Sequence, residues 1–264
     1  MTVSELTVLL IFSTFAFDVS ARGDELSPDD DGEKVILRVK VPSELAAREV
    51  EALYRSTVCT SVAYDMYGDP YKRDGYRQLD VQSVREGDTD ILRTELAVNG
   101  GGRCRWKLSN IIFGVKYGNT SQFGEGVFFG AGGGVVVMFD ESDSAHGGPN
   151  VKADGDVEVK PNYYPWVDEN FIGGHKKTVS LAGDGDIFIM YRALGARSVE
   201  FEPALHSGYV VHSVGPKIKR KGNRAIFHYP DGSNSTEGQS RPNFEKLQAI
   251  RMAAERDREI LTVE

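Results

Sequence analysis

The sequence predicts a mainly β protein, either an antiparallel β-sandwich or a barrel-like sheet, with one helix on the N-terminal side and an amphipathic helix at the C-terminus. Short segments with apolar residues at every second position recur along the chain, and turn residues separate them. No alternation of strands with helices is visible, which argues against a parallel α/β sheet. Hydrophobic residues make up 40% of the 264 residues, enough for a sizeable core.

The chain begins with a segment typical of export. Leu6–Phe17 is apolar but shorter than the roughly 20 residues that a membrane span needs. Small residues follow at Val19–Ala21, so we expect a signal peptide cleaved near Ala21, although no basic residue precedes the apolar run. An N-terminal strand or an apolar tail is the alternative. The predicted divisions are a signal peptide over residues 1–21, a flexible acidic leader over 22–33 and a single β-rich domain over 34–264.

The first elements of the predicted domain are a strand and a helix. Lys34–Val41 alternates apolar and charged residues, which predicts a strand. Ser43 suits a helix N-cap, and several apolar residues within Glu44–Arg55 could share one helical face, so we expect a helix there.

Most of the remaining chain reads as short strands. Gly124–Gly134 is rich in glycine but leads into a β-branched run, which favours a close crossing of backbones over a nucleotide loop. Pro242–Leu261 has helical periodicity and predicts an amphipathic helix laid on the sheet. Gly100–Asn110 is expected to be a glycine turn followed by a strand. Further strands are expected at Leu79–Val84, Asp90–Val98, Ile111–Tyr117, Val135–Phe139, Val157–Val159, Thr178–Ala182, Ile187–Tyr191, Val199–Glu202, Tyr209–Val214 and Arg224–Tyr229.

The chain contains two cysteines, Cys59 and Cys104. They could be two buried thiols, but an exported chain favours a disulfide between them. The chain-entropy model gives roughly 4 kcal/mol for closing a loop of this length. Arg103–Leu108 alternates basic and apolar residues, which places Cys104 on the buried side of its strand.

The charge and the polar residues exclude several classes of function. A net charge of -8 disfavours nucleic acid and an anionic membrane surface as partners. No close metal-ligand spacing and no cofactor motif is present, so we predict neither a metal nor a cofactor. Glu200 with Glu202, or His206 with His212, could serve a hydrolase, but solvated strand residues are the commoner outcome. We therefore predict that the protein is not an enzyme.

Two aromatic segments indicate a binding surface. Rigid Tyr and Trp rings supply contact area at low entropic cost, and acidic residues near them could meet a basic rim on a partner. The alternative is that about half of these rings close the core from its edge. Ala63–Arg77 is expected to be a long loop or an open hairpin, and Asn162–Trp166 is the second segment. The candidate partner-binding residues are Tyr64, Tyr67, Tyr71, Tyr76, Tyr163, Tyr164, Trp166, Asp65, Asp69 and Asp74.

Several longer strings give the chain a family resemblance. The strings are GGGRCRWKLSNIIFGVKYG, GVFFGAGGGVVVMFD, YYPW, GGHKKTVSLAGDG, FEPALHS and YPDGS. With them, residues from about Tyr54 to about Ala254 resemble a group of exported enterobacterial-type proteins, among them periplasmic immunity proteins of type VI secretion phospholipase effectors. The resemblance implies a periplasmic protein that binds a toxic lipase-type effector and blocks it, and it implies no catalytic residue. A carbohydrate- or envelope-binding module is the alternative without a protein partner.

Overall fold

A computed structural model describes residues 25–184, 187–236 and 240–262, and it confirms the mainly β class. The signal peptide predicted over 1–21 lies outside the described residues. The N-terminal strands are β1 (Lys34–Lys40), β2 (Ala46–Ala47), β3 (Val50–Tyr64), β4 (Pro70–Val81), β5 (Val84–Arg85), β6 (Ile91–Ala97), β7 (Asn99–Gly101) and β8 (Trp106–Lys116). A 3₁₀ turn at Ser121–Phe123 follows.

The second half of the chain adds shorter strands and one long helix. The strands are β9 (Phe128–Phe129), β10 (Gly134–Met138), β11 (Val151–Lys152), β12 (Val157–Val159), β13 (Asn162–Asn170), β14 (Lys176–Ala182), β15 (Phe188–Arg192), β16 (Ser198–Phe201), β17 (Ala204–Leu205), β18 (Val211–Val214), β19 (Ile226–His228) and β20 (Asn234–Ser235). The helix is α1 (Phe244–Thr262).

The strands form three sheets in the described part of the chain. The first sheet has the order β12-β16-β1-β6-β5. The second has the order β11-β15-β10-β8-β3-β4, with β2 and β7 beside β8, and the third has the order β20-β19-β18-β13-β14-β9, with β17 beside β13. The sheets are mixed. β1 is antiparallel to β6 and parallel to β16, while β13 is antiparallel to β14 and parallel to β18.

The main apolar core joins all three sheets. Alternation along β1 buries Val35, Leu37 and Val39. The rings of Phe113 in β8 and Phe201 in β16 meet in a T-shaped contact with centroids 5.6 Å apart, so the first and second sheets pack against each other. Buried residues of the third sheet extend the same cluster.

The structure confirms the amphipathic helix that the periodicity of Pro242–Leu261 predicted. Asn243 caps it, because its Oδ1 accepts the Lys246 N–H at 2.9 Å. Leu247 is fully buried against the third sheet, and Phe244 and Ile250 pack beside it. No helix in the described residues is long and apolar enough to span a membrane.

The helix predicted over Glu44–Arg55 is wrong. Leu45 closes a turn by donating its N–H to the Pro42 carbonyl, and β3 begins at Val50. Buried residues then occur at every second position, which is strand periodicity, and β3 pairs with β4 on one side and β8 on the other. The spacing of the apolar residues is compatible with both a helix and a strand. Pairing with the two neighbouring strands selects the extended conformation.

The glycine-rich segment confirms a close crossing of backbones. A Cβ on Gly114 would lie 1.9 Å from the Gly133 carbonyl oxygen, and one on Gly132 would lie 2.1 Å from that of Leu181. Only glycine permits such approaches. The second and third sheets therefore meet at this segment.

The described part of the predicted flexible leader is attached to the domain. Ser27 donates its N–H to the Gly100 carbonyl at 2.8 Å, and Leu26 packs against the main core. A Cβ on Gly101 would lie 2.0 Å from the Ser27 carbonyl oxygen. Contacts with the domain hold Leu26 and Ser27 in place, although the acidic composition of this segment predicted a flexible leader.

Candidate functional site: the aromatic hairpin

The first aromatic segment lies on a long hairpin formed by β3 and β4. β3 pairs with β8 only as far as Arg55, whereas its pairing with β4 continues to Tyr64 and Pro70. β4 is also the last strand of its sheet. The distal half is therefore a two-stranded ribbon, and we call residues 57–76 the aromatic hairpin.

The tip of the aromatic hairpin is a turn organised by Asp65. One carboxylate oxygen of Asp65 accepts the N–H of Tyr67 at 2.8 Å and that of Asp69 at 2.9 Å. Gly68 has a φ of +87°, a conformation that favours glycine. Asp65 thus shapes the turn, while the side chain of Asp69 is exposed and that of Asp74 is half-buried.

The apolar side chains of the aromatic hairpin are unusually exposed. Their exposed fractions run from 48% for Tyr71 to 88% for Met66. In the strand register Val62 lies opposite Lys72 and Ala63 lies opposite Tyr71, so apolar residues occupy both faces of the ribbon. The set is Val58, Val62, Tyr64, Met66, Tyr67, Tyr71 and Tyr76. The prediction from sequence included the rings but missed Val58, Val62 and Met66, of which Met66 alone lies between two rings in the sequence.

The disulfide lies at the base of the aromatic hairpin. Cys59 is bonded to Cys104, as predicted, and Cys104 is fully buried. Cys104 belongs to the turn before β8 and not to the strand itself. The register between β3 and β4 shifts between Ser56 and Thr60, so Cys59 lies in a bulge.

Ser56 ties the bulge to the turn that carries Cys104. Its buried hydroxyl donates to the Cys104 carbonyl at 2.5 Å and accepts the N–H groups of Val58 at 3.1 Å and Cys59 at 2.9 Å. The aromatic hairpin therefore leaves the sheet from a base that is cross-linked both covalently and by hydrogen bonds.

The second aromatic segment is mostly buried, which corrects the prediction that it forms part of a binding surface. Asn162–Trp166 is the start of β13, and Tyr163 and Tyr164 are buried, the first in the main core and the second under α1. Burial raises the pKa of both hydroxyls. The Tyr164 hydroxyl bonds to Gln248 and accepts from Arg251 at 3.0 Å. We therefore do not propose Tyr163 or Tyr164 as partner contacts.

Trp166 is the partly exposed member of that segment. Its indole N–H donates to the Ser213 hydroxyl at 2.7 Å, and that hydroxyl donates to Asp168. The ring borders a cleft of about 740 Å³ beside the start of α1, which Leu181 and Phe244 also line. Trp166 therefore does not share a surface element with the aromatic hairpin.

Glu200 and Glu202 are held in ion pairs on the outer face of the first sheet. Glu202 meets Lys40 at 2.6 Å and Lys160 at 3.4 Å, and Glu200 meets Arg38 at 3.7 Å. The hydrogen bond from Lys40 lowers the pKa of Glu202. The lowered pKa favours an ionised Glu202 carboxylate, whereas glycoside hydrolysis requires one acid with a raised pKa.

His206 and His212 have different neighbours. The His206 ring stacks on Tyr164 at 5.0 Å and its Nε2 lies 2.7 Å from the Asn162 side-chain oxygen. His212 lies opposite His228 in the strand register. Burial lowers the pKa of both His206 and His212. No group of three potential ligands that could hold a metal ion occurs among the residues the structure describes.

Comparisons with known proteins return no match to a family model, to a curated protein or to a solved structure.

Proposed function

We propose that this chain is a periplasmic immunity protein that binds a secreted toxic enzyme of the lipase type and blocks it through the aromatic hairpin. The observation that supports the proposal is the exposure of seven apolar side chains on one hairpin, from Val58 to Tyr76. Large exposed apolar patches mark interaction sites in soluble proteins. The family resemblance supplies the class of partner.

The base of the aromatic hairpin suits it for binding. A two-stranded ribbon is marginally stable by itself in water. Here the Cys59–Cys104 disulfide and the Ser56 hydrogen bonds restrain the point where the ribbon leaves the sheet. A restrained ribbon loses less conformational entropy when a partner binds, which raises affinity.

The side chains of the aromatic hairpin resemble those of a protein–protein interface, in which aromatic residues at the centre are surrounded by a polar rim. Tyr rings are frequent hot spots because they combine a large apolar surface with a hydroxyl. Lys72 and Asp69 are exposed beside them, and the Arg73 guanidinium lies 5.2 Å from the Tyr76 ring centroid. Such mixed charge at a rim affects the rate of association and specificity more than affinity.

The disulfide and the N-terminal sequence support the proposed location. A disulfide is typical of oxidising compartments such as the periplasm, and Leu6–Phe17 followed by Val19–Ala21 has the pattern of a cleaved signal. Deleting residues 1–21 should abolish protection of cells from a toxin that acts in the periplasm, while the protein still accumulates inside them. Protection by the shortened chain would place its action elsewhere.

The binding test uses the products of reading frames that adjoin the gene, above all any lipase-like toxin. We expect one of them to bind the purified chain and to be inhibited by it. The variant Tyr64→Ala/Tyr67→Ala/Tyr71→Ala should weaken binding by about thirtyfold or more, the loss of one hot spot. The matched control Met252→Ala/Ile260→Ala removes exposed apolar side chains from α1 and should bind normally.

Three outcomes would contradict the proposal. Equal affinity of the hairpin variant and the control would show that the binding surface lies elsewhere. Failure of every neighbouring toxin to bind would remove the immunity function. Binding of an envelope glycan that is lost in the hairpin variant, without any protein partner, would favour the carbohydrate-binding alternative.

A further inference from the structure

Two segments of the third sheet carry a concentration of positive charge that the net charge of the chain conceals. Phe171–Ala182 and Gly215–Pro230 contain no Asp or Glu. Their basic residues are Lys176, Lys177, Lys217, Lys219, Arg220, Lys221 and Arg224. All except the half-buried Lys177 are exposed. The chain as a whole has a net charge of -8, so this distribution is strongly uneven.

The two segments meet at one edge of the sheet. β13 and β18 are parallel neighbours, with Glu169 opposite Val214, so the loops that follow them leave from the same edge. Gly215 donates its N–H to the Glu169 carbonyl at 2.7 Å, and the Lys217 ammonium lies 5.7 Å from the centre of the Phe171 ring. We call loops 171–175 and 215–225, with Lys176 and Lys177, the basic edge.

The basic edge also exposes isoleucine side chains. Ile172 in the first loop is 43% exposed and Ile218 in the second is 56% exposed. Asn223 orders the second loop with two hydrogen bonds. Its side-chain amide donates to the Ile218 carbonyl at 3.0 Å, and its backbone N–H donates to the Arg220 carbonyl. Each loop therefore presents an aliphatic side chain beside cations, and the second loop is held by its own hydrogen bonds.

We propose that the basic edge docks on an anionic phospholipid surface. Each Lys or Arg near such a surface contributes attraction through the negative surface potential. A polyanion such as nucleic acid would pair with the cations but would make no favourable contact with two exposed isoleucines. A lipid surface interacts with both, because aliphatic side chains insert at the boundary between headgroups and acyl chains. The remaining acidic surface is repelled, so the attraction also orients the molecule.

A groove beside the second loop offers room for a lipid headgroup. Pro216, Asn223, Arg224 and Ile226 line it, and its volume is about 560 Å³. The guanidinium of an arginine is well suited to a phosphate. The inference is independent of the aromatic hairpin and of the proposed immunity function.

The test is flotation of the purified chain with vesicles. Vesicles of phosphatidylcholine containing phosphatidylglycerol should carry the protein at low salt, and vesicles of phosphatidylcholine alone should not. Binding should fall sharply at about 1 M salt, where the Debye length is about 3 Å. The variant Lys219→Gln/Arg220→Gln/Lys221→Gln should lower the partition coefficient on the order of a hundredfold, from the contribution expected per base.

Two variants separate the charge from the apolar contribution. Lys116→Gln/Lys152→Gln/Arg256→Gln removes three exposed bases outside the basic edge, and it should bind as the parent does. Ile172→Ser/Ile218→Ser keeps every charge and should still weaken binding by about tenfold or more, because aliphatic burial is lost. Circular dichroism and thermal denaturation should be unchanged in all three variants, since the altered side chains are exposed.

Several results would overturn the proposal. They are equal flotation with neutral and anionic vesicles, and no flotation with anionic vesicles at low salt. An equal loss of vesicle binding in the basic-edge variant and in the control charge variant would also overturn it. Retention on an immobilised nucleic acid without any flotation would identify the basic edge as a polyanion site of another kind and would also overturn it.

Discussion

Gly75 lies directly against the carbonyl of Cys59, and a Cβ built on Gly75 would be 2.0 Å from that oxygen. The contact is between two backbones in the bulge at the base of the aromatic hairpin, so no flexible side chain can move aside. The geometry of the bulge therefore depends on a glycine at this position, although its φ is not one that requires glycine.

We expect Gly75→Ala to destabilise the protein by about 1–3 kcal/mol, the usual cost of overpacking. Urea denaturation measures the change. Gly208→Ala is the matched control, because a Cβ there meets nothing within 4 Å, and it should be neutral or slightly stabilising. Equal effects of the two substitutions would show that the bulge adapts freely.

The disulfide should contribute substantially to stability. Cys59 and Cys104 are separated by 45 positions, for which the chain-entropy model gives roughly 4 kcal/mol. Adding a reductant should therefore lower the melting temperature of the parent but leave that of Cys59→Ser/Cys104→Ser unchanged. Two free thiols, found by alkylation and mass spectrometry of non-reduced protein, would refute the bond.

Asp156 should make stability depend on pH. Its Oδ1 accepts the N–H groups of Arg197 and Ser198, both at 2.7 Å, and these bonds lower its pKa from the ordinary value of 3.8. Because the folded pKa is below the unfolded one, the stabilisation is present above pH 3.8 and is lost as the pH falls through the folded value.

The variant Asp156→Asn should flatten the loss of stability at acidic pH relative to the parent. Chemical denaturation at a series of pH values measures it, and Asp154→Asn, an exposed carboxyl two positions away, serves as the charge-matched control. Identical pH profiles of the parent and Asp156→Asn would contradict the assignment.

Leu247 should anchor α1 to the third sheet. It is fully buried in a cluster with Val211 and Phe227, so Leu247→Ala should cost about 2–5 kcal/mol. Met252→Ala, at an exposed position of the same helix, should cost much less. Thermal denaturation of both variants distinguishes a docked helix from one that lies loosely on the surface.

The basic edge shows that charge is distributed unevenly over the surface of this chain. The net charge of -8 indicated a molecule repelled by anionic surfaces, and that conclusion holds only for charges spread evenly. Lys176 and Lys221 are far apart in the chain, and the parallel pairing of β13 with β18 brings their loops to one edge. Such a pairing leaves no local pattern in the sequence.

The sequence by itself determined the features that depend on neighbouring residues. Alternating apolar residues predicted β1 and the burial of Cys104 and Trp106, although Cys104 lies in the turn before β8, and helical spacing predicted α1. Two cysteines in a chain with an export-like N-terminal segment predicted the disulfide, because only one intramolecular pairing exists. These properties follow from local periodicity and from simple counting.

Only the tertiary structure decided which surfaces are buried. The sequence of residues 44–55 is compatible with a helix, but pairing of β3 with strands on both sides stabilises the extended conformation. Tyr164 and Tyr67 belong to similar aromatic segments, yet α1 covers Tyr164 while Tyr67 remains 83% exposed on the ribbon. Burial depends on which distant segment packs against a residue, and that long-range partner is not encoded in any short stretch of sequence.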